Sequence, residues 1–239
     1  MKTRAQVGIT LMELMIAVVL LSLLSVGLLL ALRIGIDAYS KTQSKLMDNR
    51  RVAGAQRILE EELEGLVPVV ALCNAGGQPG SGGAKAPFFQ GQPDTMRLVS
   101  TFSLDGAWRG RPQILEIFVI PGANGRGVRL VVNEIPYTGP VGAGRFCLGI
   151  NKYVAAYPGP KSFVLADQLA FCRFSYLDQP PDGSQPAKWS PLFEGANWPK
   201  AVRVDMAPLT PDASRLQPIS ITAPIHIHRS PEVAYDDFQ

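Results

Sequence analysis

The first 67 residues contain no proline, although the chain of 239 residues holds 20. Because proline breaks helices, its absence leaves this part free to form one long helix. All the prolines and 18 of the 23 glycines come later and indicate a turn-rich, β-type domain. Cysteine is scarce too: three residues without Cys-x-x-Cys spacing exclude a disulfide-dense scaffold and suggest no zinc site. The net charge of +3 is too small and scattered to indicate a nucleic-acid partner.

A run of 19 residues without charge, residues 14–32, follows a short basic leader that carries Lys2 and Arg4. Its length is about the ~20 residues that a helix needs to cross a bilayer core. The positive leader should stay in the cytoplasm and the following chain should be exported. The run is longer than the core of an ordinary cleaved signal peptide, and no A-x-A site ends it. We therefore expect a single-pass anchor.

Glu13 stands at the head of this run, where a carboxylate either snorkels to the headgroups or marks a function. The segment Gly8-Ile9-Thr10-Leu11-Met12-Glu13 resembles the class III signal of type IV pilins and type II secretion pseudopilins. The resemblance implies that a prepilin peptidase cuts between Gly8 and Ile9 and methylates the new amine. Ile9 departs from the phenylalanine that is usual there. Glu13 could then pair with the ammonium of a neighbouring subunit, so that assembly register depends on this contact.

Beyond residue 32 the helix is predicted to continue into the periplasm as far as residue 66. Its apolar residues recur at spacings of three and four and form one stripe, which is typical of an amphipathic helix packed on a domain. The stripe consists of Val52, Ala55, Leu59, Leu63 and Leu66. No heptad repeat is sustained, which favours packing over a free coiled-coil stalk. Gly65 and Pro68 supply the stop signal.

The rest of the chain is predicted to be a Gly/Pro-rich loop at 67–93, a mainly antiparallel β domain at 94–230 and a tail at 231–239. Asn124-Gly125 is the expected apex of a hairpin. In the fourth strand, alternation places Leu169 and Phe171 on the face opposite Cys172, Phe174 and Tyr176. The predicted strands are Met96–Phe102, Ile114–Ile120, Val128–Ile135, Leu169–Tyr176, Ala201–Met206, Ile219–Ile221 and Ile225–Ile227, the last two separated by Pro224.

Together these segments predict an α+β, pilin-like fold: a cleaved leader at 1–8, a transmembrane helix at 9–32 and its extension at 33–66, packed on the β domain. A second resemblance covers the last third of the domain. The patterns Phe171-x-x-Phe174-x-Tyr176, after Asp167-Gln168-Leu169, and Trp198-Pro199-Lys200-Ala201-Val202-Arg203-Val204 are similar to the J-type minor pseudopilin. Trp189 and Trp198 are interpreted as core anchors.

Candidate chemistry is sparse in this sequence. His226 and His228 point the same way on a strand, but no third metal ligand is fixed nearby, so exposed edge histidines are favoured over a metal site. No nucleophile motif is present, and turn acids specify no calcium loop. We expect no enzyme activity, cofactor or metal. Cys147 with Cys172 is the first choice for a disulfide, since both lie in or beside the expected sheet while Cys73 begins the loop.

The expected function is structural: a minor pseudopilin of a type II secretion-like system, at the tip or the initiation point of a periplasmic filament. The resemblance implies a prepilin peptidase and other pseudopilins or pilins as partners. It also implies a bacterial inner-membrane location, with the carboxyl-terminal domain in the periplasm. A minor type IV pilin is the closest alternative. A membrane-tethered periplasmic enzyme or binding module is the alternative of a different class.

Overall fold

The computed structural model describes residues 11–73, 84–102, 109–149, 152–179, 186–195, 197–209 and 218–226. The chain divides into two compact units, Met1–Asp48 and Asn49–Gln239. In the first unit, the described residues form the amino-terminal part of one long helix. The second contains the end of that helix and all of the described β structure.

The long helix α1 spans Leu11–Glu64, 54 residues without a proline. It ends where Gly65 N–H donates to the Glu61 carbonyl at 2.9 Å. A side chain at Gly65 would not fit, because an added Cβ would lie 2.8 Å from Ser100 Oγ on the neighbouring strand. The helix therefore ends within two residues of its predicted end. Its close approach to the sheet explains why residue 65 is a glycine.

The predicted apolar stripe is confirmed where its side chains are described. Ala55, Leu59 and Leu63 are buried in the main core of the second unit, and Leu66 packs against that core. The side chain of Val52 lies outside the described residues. The last turns of α1 are thus an amphipathic helix packed on a β domain, as the spacing predicted.

The β domain is built on one antiparallel sheet of eight strands, in the order β12-β11-β9-β6-β5-β4-β3 with β10 paired to β9. Two short hairpins, β1-β2 and β7-β8, lie outside it, and a four-residue helix, α2, precedes the second. The strands are β1 Val70–Cys73, β2 Ala84–Pro87, β3 Gln90–Gly91, β4 Thr95–Phe102, β5 Arg109–Pro121, β6 Val128–Pro136, β7 Cys147–Gly149, β8 Lys152–Tyr153, β9 Phe163–Asp178, β10 Lys188–Ser190, β11 Ala201–Pro208 and β12 Ile219–Pro224; α2 is Pro140–Ala143.

The fold class is therefore α+β, and each predicted strand from residue 95 to 221 is present, several of them longer than predicted. Asn124-Gly125 lies in the turn between β5 and β6, closed by Gly122 N–H donating to the Gly127 carbonyl at 2.8 Å. Pro224 does not separate two strands but ends β12, an edge strand on which proline costs no ladder bond. Ile227 lies outside the described residues.

Residues 67–93 are not loop throughout, contrary to the prediction. Val70–Cys73 pairs with Ala84–Pro87 as a hairpin, and Gln90–Gly91 joins the edge of the main sheet. These strands are only two to four residues long, too short to show a period, so tertiary contacts decide their conformation.

A bulge in β9 overturns the predicted facing of its side chains. The register with β11 shifts between Ala207 and Pro208, and Gln168 has φ of 54°. The extra residue turns Leu169 into the main core beside Cys172, while Phe171 stays 38% exposed. Strict alternation fails here because a bulge puts two residues opposite one.

The two faces of the sheet carry two separate cores. The main core lies under α1 and takes Met96 and Leu98 from β4. The smaller core takes Val99 from the same strand and joins it to β1 and β7. Because successive side chains of a strand point to opposite faces, the second core lies on the face away from α1.

Candidate functional site

The amino-terminal part of α1, Leu11–Tyr39, is a helix of 29 residues whose most apolar 18-residue window has a mean hydropathy of 2.8 and is not buried. The hydroxyls of its two serines are satisfied within the helix. Ser22 Oγ donates to the Val18 carbonyl at 2.7 Å, and Ser25 Oγ donates to the Leu21 carbonyl at 2.8 Å. A segment that satisfies its own polar groups suits the hydrocarbon of a bilayer. This helix supports single-pass anchoring in a membrane.

Of the three residues predicted to govern processing and assembly, only Glu13 is described. It lies exposed in the first turn of α1, and the next charge along the helix is Arg33. Twenty residues at ~1.5 Å each separate the two, roughly 30 Å, which matches the thickness of a bilayer core. Gly8 and Ile9 lie outside the described residues.

The disulfide prediction was wrong: Cys147 pairs with Cys73, and Cys172 is free and buried. Cys147 and Cys73 belong to the smaller core, whereas Cys172 faces the main core on the other side of the sheet. Burial raises the pKa of the Cys172 thiol to about 12, with a smaller contribution from Asp205, so this thiol is unreactive. The Cys73–Cys147 bond is the kind that persists in an oxidising compartment.

A row of polar side chains crosses four strands on the sheet face away from α1. Gln90, Arg97, Glu116 and Asn133 stand directly opposite one another in register. Arg97 is completely buried; its Nε and Nη2 donate to Glu116 Oε1 at 3.0 and 2.6 Å, and its Nη1 donates to Gln90 Oε1 at 2.6 Å. Asn133 donates to the other Glu116 oxygen at 2.8 Å. A buried ion pair of this kind is stable only when its remaining hydrogen bonds are made, and here they are.

Residues 140–149 and 152–162, which we call the basic strap, cover this row. Arg97 Nη2 donates to the Val154 carbonyl at 2.9 Å, and Asn133 donates to the Tyr157 carbonyl at 3.0 Å. The rings of Phe146 and Tyr153 lie 5.3 and 5.7 Å from the Arg97 guanidinium, within cation–π range. The disulfide joins Cys147 of the strap to β1, and the hydrogen bonds at Val154 and Tyr157 hold the following stretch against the sheet.

The outer side of the strap is apolar and basic. Seven large apolar side chains are exposed in the described part of the second unit, and four of them lie on the strap: Val141, Leu148, Val154 and Tyr157. Its charged residues are all basic, Arg145, Lys152 and Lys161, and all are exposed. The sequence holds no acidic residue between Glu134 and Asp167.

The end of α1 has the opposite charge. Glu60, Glu61, Glu62 and Glu64 follow one another, and Glu62 alone turns inward, with 1% of its surface exposed. Burial raises the pKa of Glu62 to about 8. The Ser100 hydroxyl lowers that pKa only in part, and the carboxylates of Glu134 and Glu61 raise it further. Neither carboxyl oxygen of Glu62 makes a well-formed hydrogen bond. Glu62 is therefore mostly neutral at pH 7.

A shallow groove of about 220 Å³ lies beside this acidic end, between α1 and the end of β12. Its lining is mostly apolar, with one carboxylate and one imidazole at the rim. The lining residues are Leu63, Glu64, Leu66, Pro224, Ile225 and His226. The volume is below the roughly 300–1,000 Å³ of pockets that hold drug-sized ligands, so the groove fits a single side chain better than a substrate.

The remaining candidates are placed as follows. His226 is exposed at the rim of the groove, and His228 lies outside the described residues. Within the described ranges no three His, Cys, Asp or Glu side chains cluster closely enough to hold a metal ion. Trp198 is buried in the main core as predicted, whereas Trp189 is half-buried and its ring lies 4.0 Å from the Arg203 guanidinium.

Comparison of the chain with protein-family models and with curated proteins returned no match. The assignment of function therefore rests on the helix, the sheet and the charges described above.

Proposed function

We propose that the chain is a minor pseudopilin of a type II secretion-like system, which assembles through its amino-terminal helix and helps to initiate or cap a periplasmic filament. One observation carries the proposal: the apolar span headed by Glu13 and the turns that pack on the sheet are parts of one uninterrupted helix. A simple tether needs neither a helix that continues into the core of its domain nor a carboxylate at the head of the span.

The charges at the head of the helix supply the mechanism. Cutting after Gly8 removes Lys2 and Arg4 and creates an ammonium at Ile9, about 6 Å along the helix from Glu13. When such helices bundle in an apolar surrounding, the carboxylate of one subunit can neutralise the ammonium of a staggered neighbour. Neither charge is then left buried alone, so this pair favours one register of assembly.

The pairing of Cys73 with Cys147 supports a periplasmic position for the domain, because disulfides persist outside the reducing cytoplasm. The positive leader gives the same orientation, since basic residues stay on the cytoplasmic side of an anchor. Both arguments support the proposal of a long helix in the inner membrane with its carboxyl-terminal side exported.

The decisive test is the intact mass of the protein extracted from membranes. We expect the loss of residues 1–8, with or without one added methyl group on Ile9. Replacing Gly8 by leucine should block cutting without blocking insertion, because the basic leader and the apolar run remain. Gly27→Leu is the matched control, since it makes the same change within the apolar span, where an added side chain has open space. A mature protein that begins at Met1 would support the tethered module and refute the pseudopilin.

The same helix also fits a minor type IV pilin, which would be processed in the same way. Genes beside this one distinguish the two: a secretion ATPase with further pseudopilins supports the secretion system, whereas retraction and pilus genes support the pilin.

A further inference from the structure

The second unit carries two surfaces that complement each other in charge and that both present apolar groups. The basic strap presents Lys152 beside Leu148, which is 63% exposed. The groove at the end of α1 presents Glu64 beside the apolar Leu63 and Leu66. Opposite charges beside matching apolar groups are the usual chemistry of a specific protein contact.

The groove has room for one aliphatic side chain. Its volume is about 220 Å³, and a cavity of roughly 150 Å³ is enough to hold a benzene molecule. Of the carboxylates at this end of α1, Glu61 is already paired with Arg57 at 2.9 Å, and Glu60 accepts from Gln56 at 3.0 Å. Glu64 is the exposed carboxylate that lines the groove itself.

The strap is held in one conformation before any partner arrives. The disulfide fixes Cys147, next to Leu148, and the buried Arg97 and Asn133 side chains bind the backbone at Val154 and Tyr157. A surface whose backbone is already ordered loses little entropy on binding, so its exposed apolar side chains are preorganised for contact.

The two surfaces cannot satisfy each other within one chain. The groove adjoins the sheet face covered by α1, and the strap covers the opposite face, where Arg97 points away from Met96 and Leu98. A contact between two different surfaces on opposite faces joins two copies head to tail.

We propose that the basic strap of one copy docks in the groove of a second copy, with Leu148 in the groove and Lys152 against Glu64. The contact goes beyond helix-mediated assembly, because it joins the folded domains, and it does not require removal of the leader. An experiment can therefore distinguish a failure of leader cutting, which concerns the proposed function, from a failure of this contact.

The contact can be tested on the full chain in membranes with a zero-length carbodiimide, which joins a lysine amine to a carboxylate only when they touch. Equal amounts of 15N-labelled and unlabelled protein are mixed, in detergent and then in vesicles of neutral lipid. We expect a peptide that joins Lys152 to Glu64 and contains one labelled and one unlabelled half, since the link forms between copies.

Charge exchange makes the test specific. Lys152→Glu and Glu64→Lys should each reduce the cross-linked multimers about tenfold, because like charges then face each other. Either mixing the two variants or combining both changes in one chain should restore the multimers. Lys188→Glu is the matched control, since Lys188 is an exposed lysine on β10 outside both surfaces.

Three results would overturn the proposal. Equal loss in Lys188→Glu would mean that net charge alone drives association. Unchanged multimers in both exchange variants would mean that another segment or protein occupies the groove. Weaker binding of Lys152→Glu to vesicles of anionic lipid, with no effect of Glu64→Lys on multimers, would make the strap a lipid-binding surface.

Discussion

Glu62 should make the stability of the domain depend on pH in an unusual direction. Its pKa is about 8 in the folded chain and 4.5 in the reference state, a difference of 3.5 units. A carboxyl group whose pKa is raised by folding stabilises the fold fully below the unfolded pKa, and this stabilisation is lost as pH rises towards the folded pKa. At about 1.36 kcal/mol per unit, linkage gives a loss of about 4 kcal/mol between pH 5 and pH 8.5.

Replacing Glu62 by glutamine should remove this loss, because the amide resembles the protonated acid and does not ionise. We expect Glu62→Gln to match the wild type within about 1 kcal/mol at pH 5 and to be more stable by up to about 4 kcal/mol at pH 8.5. The difference between variants is informative because the other titrating groups contribute equally to both.

The assay is urea unfolding followed by tryptophan fluorescence at five pH values between 5 and 8.5. It uses residues 37–239, which we expect to be soluble and β-rich by circular dichroism. Glu64→Gln is the matched control, since it removes one exposed carboxylate from the same turn of α1 and should show no rising advantage with pH. The reasoning would be refuted if the free energy of unfolding changed with pH in the same way for the wild type and for Glu62→Gln, because Glu62 would then be hydrated or paired in solution.

Three further predictions concern the disulfide, the buried Arg97 and the carboxylate at the head of the helix. Joint replacement of Cys73 and Cys147 by alanine should lower the free energy of unfolding by about 4 kcal/mol in urea, the cost of opening a loop of this length, whereas Cys172→Ala leaves the disulfide and its loop intact. Arg97→Ala should cost about 3–5 kcal/mol in the same assay, because it leaves a carboxylate buried without its partner. Glu13→Ala should insert in membranes normally but cross-link poorly to partner subunits; normal cross-linking would mean that the carboxylate only snorkels.

The elements that follow a regular period could be predicted from the sequence. The stripe of Ala55, Leu59 and Leu63 and the alternation around Val202 and Val204 each repeat at the spacing of their element, so local sequence is sufficient. The short hairpin at Val70–Cys73 has too few residues to show a period. The bulge in β9 shifts its pattern at one point, which only pairing with a neighbouring strand reveals.

The row of polar side chains beneath the strap was missed because it depends on the register of the strands. Arg97 and Glu116 are the only charged residues in the predicted strands Met96–Phe102 and Ile114–Ile120. This was a usable signal, since an isolated charge in a buried strand needs a partner. Their pairing could not be read from the sequence, as it requires knowing which residues of β4 and β5 are opposite. The disulfide was mispaired for the same reason, because sheet faces decide which cysteines meet.

The packing of α1 on the sheet imposes a delay during synthesis. Leu63 of the stripe lies in the same core as Ile221 of β12, which the ribosome adds ~160 residues later. At about 5–20 residues per second, this part of the helix waits roughly 8–30 s for the last strand of its binding surface. The membrane-spanning part of α1 is synthesised earlier and can insert at any time during this delay. In this interval the nascent chain exposes the half-apolar end of α1 to chaperones, and arrest of translation just before β12 should prolong that exposure.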